Sequence, residues 1–295
     1  MKINRPLRKV KLLLVKLLFW APLSVKSFRR WIFDSAPMNT LMISNCINEN
    51  FIVSSSDKTI ARGLFSNKEF DLDKLTAALK ILQFDKKHSL LIDIGANIGT
   101  ICIPAIKRGY FDEAIAIEPD PFNYRLLKAN VLINDLNSQI DTYNIALGKD
   151  DGEQLVLEQS VDNFGDHRIM VDENNGDSSL QKIKVKSESL DSIFDASVEK
   201  NVLVWMDTQG YEGYVLAGAS STISKKIPLV IEFWPFGMLR TKSYVYLKKT
   251  LLDGGYTKFY LLDDEPEATI LSEAALDELW EKLGEKGEFS DLLVI

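Results

Sequence analysis

Leu90-Leu91-Ile92-Asp93-Ile94-Gly95-Ala96-Asn97-Ile98-Gly99 decides how this chain is read. Its first half is a short buried-strand run carrying one acid, and two glycines follow. An apolar helical pattern runs on from Ile101 to Ile106. A strand that stops at a glycine-rich turn and passes into a helix N-terminus is a nucleotide-cofactor site. Glycine lets the backbone approach the ligand, and the N–H groups of the turn point at it. What the turn lacks narrows the ligand. The dinucleotide fingerprint G-x-G-x-x-G, begun at Gly95, needs glycine where Asn97 and Thr100 stand. A P-loop needs Lys and Ser/Thr where Ile101 and Cys102 stand. What remains is D-x-G-x-x-x-G. Its acid, Asp93, is placed to accept hydrogen bonds from turn amides or to pair with a cationic group of the ligand, which the phosphates of NAD would not favour.

The pattern repeats outward. Ala114–Ile117 reads as a second strand ending in Glu118, an acid suited to two ribose hydroxyls. Asp120-Pro121 then reads as the N-cap and first residue of a helix. Strand 89–94, helix 99–108, strand 114–118, helix 121–134 and strand 140–145 alternate, which predicts a parallel sheet covered on both faces. The alternation breaks between Leu147 and Val202. Extra strands are read at 154–157 and 182–185, with a polar tract from Ser160 to Ser179 between them. A long loop at the carboxyl end of a parallel sheet commonly lines the crevice, and a mobile surface loop is the alternative. Later come strands 202–206 and 229–231, which lead to Asp207 and Glu232, and helices 211–219 and 244–252. Strands 257–262 and 292–295 close the chain. Upstream, a hairpin around Asn48–Asn50 and a helix capped by Asp71 are expected.

With these residues in place, the chain resembles the class I S-adenosylmethionine-dependent methyltransferases, and more narrowly the FkbM family. The likeness rests on Ile92–Gly99, Ile117-Glu118-Pro119, Asn144–Gly148 and Ser189-Leu190-Asp191. It continues through Trp205–Glu212, Val215–Ala219 and Ile231-Glu232, and covers about residues 88 to 295. The block around Asp207 is the most specific. The resemblance implies an α/β, Rossmann-like class I methyltransferase fold. Its sheet is mostly parallel and seven-stranded, with helices on both faces and an N-terminal helical extension. The expected divisions are a basic apolar segment over 1–38, a lead-in over 39–87 and the methyltransferase domain over 88–295.

It also implies S-adenosyl-L-methionine as cofactor. Asp93, Gly95, Ala96, Asn97 and Gly99, with Glu118 and Pro119, would hold it, and Asn144 and Ala146 would meet the adenine. Methyl transfer is an in-line displacement on carbon, so the protein supplies alignment, desolvation and, for a hydroxyl acceptor, a proton sink. Asp207, at the end of the fourth strand, is the expected general base or orienter of the acceptor; merely capping the next turn is the plainer alternative. His167 is the second catalytic candidate, with an exposed loop histidine as its alternative. Glu212 reads as a helix-dipole residue. Gln209 neither takes a proton nor binds a hard cation well, and no metal ligand is assigned.

Composition bounds the rest. The chain has 295 residues, is 46% hydrophobic and carries a net charge of −7. Two cysteines in unrelated segments, Cys46 and Cys102, give no disulfide framework or metal spacing. The first 33 residues hold nine basic residues and no acid, leaving 26 basic against 42 acidic residues downstream. That remainder lacks the cationic footprint of a nucleic-acid binder. The apolar run Leu12–Val25 is broken by Lys16 and Pro22 and is shorter than the ~20 residues that span a bilayer. With Phe19, Trp20, Phe28 and Trp31 it fits a surface anchor on anionic lipid, or else an amphipathic helix packed on the domain or a partner subunit. The resemblance implies cytoplasmic placement, since the family uses its cofactor there, and the charge split of the N-terminus adds a peripheral membrane position as an expectation. The expected reaction is O-methylation of a small-molecule or glycan acceptor. The competitors are N-methylation, disfavoured by the missing Asn/Asp-Pro-Pro-Tyr/Phe motif, and an inactive membrane-recruited scaffold.

Overall fold

The computed structural model describes residues 23–69, 72–171, 179–263 and 267–295. The helix cap expected at Asp71 lies outside them, as do residues 1–22 and 172–178. Fourteen strands fall in the described residues: β1 (Leu41–Asn45), β2 (Asn50–Ser54), β3 (Ser89–Ile94), β4 (Glu113–Ile117), β5 (Ile140–Tyr143), β6 (Ala146–Leu147) and β7 (Gln154–Gln159). They continue as β8 (Arg168–Met170), β9 (Gln181–Glu188), β10 (Asn201–Met206), β11 (Leu229–Phe233), β12 (Lys258–Leu261), β13 (Thr269–Ile270) and β14 (Ser290–Val294).

All six residues of β3 are buried, so β3 is an interior strand and its apolar run is nearly continuous. The main sheet has the order β13-β12-β14-β11-β10-β3-β4-β5. β5, β4, β3, β10 and β11 are parallel, and β14 enters antiparallel between β11 and β12. The expected seven strands are all present. The eighth, β13, is a two-residue edge strand too short to show a period. Successive residues of β3 and β10 serve opposite faces. Leu90, Ile92, Ile94, Val202, Val204 and Met206 join one hydrophobic cluster. Leu91, Leu203 and Trp205 join the other.

The helix over Pro121–Ile133 begins as read, with Asp120 accepting from the N–H groups of Phe122 and Asn123 at 2.9 and 2.8 Å. The expected helix 211–219 is split at Gly218 into Glu212–Ala217 and Ser220–Ser224, because the chain there presses on Gly148. A Cβ on Gly218 would stand 2.1 Å from the Gly148 carbonyl oxygen. Between β5 and β10 a small sheet forms in the order β6-β9-β7-β8. β8 falls in the tract read as loop; it has three residues and pairs only with β7.

The N-terminal part shares the domain's core. Phe33, Val53, Leu64 and Leu75 sit in the same cluster as Leu91 and Leu203. The helix Lys26–Ser35 is pinned by fully buried Phe33 and by Arg29, whose Nε and Nη2 donate to the Ser66 carbonyl at 3.0 and 2.6 Å. Over these residues the packed helix is what is observed. No helix among the described residues is long and apolar enough to cross a membrane.

Candidate active site

The carboxyl ends of β3, β4 and β10 meet around the turn after β3. Gly95 has φ +85°, and a Cβ there would lie 1.8 Å from the carbonyl oxygen of Asp207. Only glycine allows this approach, which brings the turn against the backbone of the acid that follows β10. The N–H groups of Gly95 and Ala96 both donate to the Ile117 carbonyl at 3.0 Å, and Asp207 N–H donates to Ile94 at 3.0 Å. Asn97 occupies the left-handed region at φ 52°, which asparagine tolerates.

The two acids of this turn divide its amides. Glu118 Oε2 accepts from Asn97 N–H at 2.8 Å, and Oε1 accepts from Asp120 N–H at 2.7 Å. Asp93 Oδ2 instead accepts from Cys102 N–H at 3.0 Å, so the helix Cys102–Lys107 starts there rather than at the expected residue 99. Burial pushes Asp93 up to about 7, and Asp207 adds to the shift. Burial also pushes Glu118 up to about 8, with Asp120 and Asp93 adding.

A cavity of about 440 Å³ opens at this point, ample for a nucleoside-sized ligand. Asp93, Gly95, Asn97, Glu118, Pro119, Ala146, Asp207 and His167 line it. Three expected contacts do not. Ala96 and Gly99 shape the turn from behind. Asn144, one residue past β5, is exposed, and its Nδ2 donates to the Glu118 and Pro119 carbonyls at 2.9 and 3.0 Å. Asn144 is therefore a fastener of the β4 end rather than an adenine contact. Ile145 and Leu147 line the cavity beside Ala146.

Residues 160–167 cross the mouth of the turn as a strap. The Phe164 carbonyl accepts from Asn97 Nδ2 at 2.8 Å and Asn123 Nδ2 at 2.9 Å. Ser160 N–H donates to His167 Nδ1 at 3.0 Å. His167 is thus neither an exposed loop histidine nor a free base. Its Nδ1 is already an acceptor, so the neutral ring carries its proton on Nε2. Burial lowers its basicity further.

At the other end, Gln209 Nε2 donates to Asp207 Oδ1 at 2.7 Å and to Glu232 Oε2 at 3.0 Å. Glu212 stands in the first turn of the helix Glu212–Ala217, as expected of a helix-dipole residue, and it is fully buried. Its Oε1 accepts from Thr208 N–H at 2.9 Å, Thr208 Oγ1 at 2.8 Å and Gly210 N–H at 3.2 Å, stitching the loop after β10. Asp291, register partner of Glu232, pairs with Lys74 at 2.5 Å. Sequence reading assigned no site role to Glu232, Asp291, Arg168 or Trp234, all of which line the cavity. Glu232 carried a usable signal, since it ends a strand as Asp207 does. Asp291 had none, because its strand runs in the opposite direction. The Arg168 guanidinium lies 4.7 Å from the Trp234 ring, a contact between distant segments.

Among the described residues burial holds six carboxyls above their usual range: Asp57, Asp93, Glu118, Glu212, Glu232 and Asp291. Each binds its proton more tightly folded than unfolded. Each therefore contributes stability that is present at low pH and lost as pH rises through its folded value. With values of about 6 for Asp291, about 7 for Asp93 and Glu212, and about 8 for Glu118, that loss spans the neutral range. The thermal midpoint of the ligand-free protein is expected to fall as pH rises from about 5 to about 9. A midpoint that is flat or rising across that range would contradict this ionisation pattern.

Comparison with known proteins gives the family. The methyltransferase FkbM domain matches residues 93–258. The 2-O-methyltransferase NoeI of Sinorhizobium fredii (strain NBRC 101917 / NGR234) is 27% identical over an alignment of 169 residues that covers 52% of this chain and 68% of that protein. Among solved structures, a methyltransferase FkbM from Methylobacillus flagellatus KT aligns with a TM-score of 0.43 at 17% identity. That alignment covers 77% of this chain but 56% of the other, so the chain spans little more than half of that protein. M. jannaschii TYW2, solved in complex with AdoMet, aligns with a TM-score of 0.38 at 14% identity over 88% of this chain and 86% of that one. The domain match takes in more than half of the chain, from Asp93 at the end of β3 to the start of β12, and on that ground the chain belongs to the FkbM methyltransferase family.

Proposed function

We propose that the protein is an S-adenosylmethionine-dependent O-methyltransferase whose acceptor is a hydroxyl of a sugar, glycan or lipid-linked glycan. The observation that carries this is the close approach of Gly95 to the Asp207 backbone, which puts the β10 end beside the turn, with Asp207 lining the same cavity. The cofactor supplies an electrophilic methyl group. The residues fit it. Each Glu118 oxygen accepts a single backbone amide, leaving a second lone pair for a ribose hydroxyl. Ile117, Ile145 and Leu147 give an apolar bed for adenine. Asp207 then receives the acceptor proton, and His167, with Nδ1 occupied, orients by donating from Nε2. The name of the NoeI relative supports oxygen as the methylated atom.

The test is transfer of label from radioactive S-adenosylmethionine to a panel of glycans, glycolipids and amines. Label in O-methyl groups is expected. Label confined to N-methyl groups would overturn the O-methyl assignment.

The basic N-terminus is proposed to meet anionic lipid at a cytoplasmic membrane surface. Lys26, Arg30 and Trp31 are exposed on the packed helix, with Trp31 at 62%. In sedimentation with phosphatidylserine-containing vesicles, the full chain is expected to co-sediment. A chain lacking residues 1–22, which keeps buried Phe33, should do so less. Equal sedimentation of the two would contradict this role for the segment.

A further inference from the structure

The cavity continues past Asp207 along the ends of β10, β11 and β14. Met206 lies opposite Ile231, and Glu232 opposite Asp291. By that register Asp207, Glu232 and Asp291 form one row across the sheet, and all three line the cavity. Phe233 opposite Ser290 is the next row. One step further out come Trp234 and Phe289, again on the cavity wall. Two residues of strand are ~7 Å, so the outer row leaves room for one pyranose ring beside the row that holds Asp207.

Phe289 is 50% exposed, although Ser290 and Asp291 beside it are buried. A large aromatic side chain open on a cavity wall is apolar surface that a ligand can cover. Lys74, from the helix Leu72–Leu82, helps to hold the ring, with Nζ 5.3 Å from its centroid. Trp234 is buried, and the six-membered part of its indole packs at Gly237, where a Cβ would stand 2.2 Å from Trp234 Cε3. Arg168 lies over that fixed indole. Its Nε donates to Asp166 Oδ1 at 2.6 Å, and its Nη2 pairs with the same oxygen. A guanidinium has five N–H donors, so Arg168 can serve a hydroxyl-rich ligand while Asp166 balances its charge.

We propose that Phe289, Trp234 and Arg168 form the acceptor subsite, and that it admits neutral pyranose rings and rejects rings bearing a carboxylate. This rests on the reading that the acceptor is a sugar hydroxyl, and it states which sugars the site takes. One face of a pyranose presents C–H groups, whose slight positive charge suits the negative face of the Phe289 ring. The other hydroxyls of the sugar meet the Arg168 donors while the reacting one reaches back to Asp207. A carboxylate on the sugar finds the opposite conditions. Among the described residues that line the cavity, His167 and Arg168 are the basic ones. Burial keeps His167 neutral, and Arg168 is matched by Asp166. Lys74, beside Phe289, is engaged by Asp263 and Asp291. A uronate would therefore lose water to enter a wall that holds Asp166 and Asp291 and whose cations already have partners.

The test is saturation-transfer NMR and titration of methyl glycosides into the full chain in the presence of S-adenosylhomocysteine. The probes are the methyl pyranosides of fucose, rhamnose, glucose, galactose and mannose, with the methyl glycosides of glucuronate and galacturonate as charged counterparts. At least one neutral glycoside is expected to bind, and both uronates at least about tenfold more weakly. Phe289→Leu keeps apolar bulk but has no π face, and should weaken the bound glycoside by about tenfold or more; Phe289→Tyr keeps the ring and should stay within about threefold. Both changes fall on a half-exposed side chain outside the core. No neutral glycoside bound, a uronate bound as tightly, or Phe289→Leu equal to the wild type overturns the subsite. S-adenosylhomocysteine affinity is measured on the same samples. Glycoside binding that depends on Phe289 without S-adenosylhomocysteine binding would mean that the methyltransferase reading fails and the subsite stands; S-adenosylhomocysteine binding without glycoside binding is the reverse.

Discussion

Gly95→Ala is expected to cost the protein both its cofactor site and a large part of its stability. The new methyl would stand 1.8 Å from the Asp207 carbonyl oxygen, at a backbone conformation of φ +85° that alanine rarely adopts. Relief requires β3 and β10 to part, yet they pair over six residues at the centre of the sheet. Strain and lost packing together are expected to exceed about 3 kcal/mol, a fall of roughly 5–10 °C in thermal midpoint. Titration with S-adenosylhomocysteine should show no binding. A midpoint within ~2 °C of the wild type, with binding retained, would mean that the turn is not held as described.

Asp207→Ala is expected to separate binding from chemistry. Its carboxylate accepts from Gln209 and raises the pKa of Glu232 and Asp93, so its loss relieves like-charge repulsion. The thermal midpoint should stay level or rise. S-adenosylhomocysteine affinity should stay within about threefold, while turnover falls by about 10²–10⁴, the contribution expected of a positioned proton acceptor. Turnover within tenfold of the wild type would assign the proton to another group. Weakened binding with unchanged turnover would make Asp207 a cofactor ligand.

How much of this was legible in the sequence follows from where each signal resides. β3, β4 and β10 are interior strands, so their apolar runs are nearly continuous and end sharply at Gly95, Glu118 and Asp207. Those strand ends line the cavity, and each is marked locally by a glycine or an acid at the close of an apolar run. Asp120-Pro121 was equally local. Asn144 was misplaced because a residue just past a strand points to either side depending on how the chain leaves the sheet. His167 could be placed in the tract but not in a protonation state, which Ser160 N–H sets across a turn. The Gln209 bridge to Glu232 joins the ends of two strands 23 residues apart and exists only once β10 and β11 pair. The helix Glu273–Leu283 could have been read, since Ser272 caps it and Leu276, Leu279 and Leu283 recur at helical spacing.

The central claim is that the turn after β3, closed by Glu118, binds S-adenosylmethionine. Isothermal titration of S-adenosylhomocysteine into the wild type and Glu118→Ala tests it most directly. The account predicts micromolar binding by the wild type, weakened at least about tenfold in Glu118→Ala, a loss of about 1.4 kcal/mol or more. No binding by a folded wild type, or equal binding by both proteins, would contradict it.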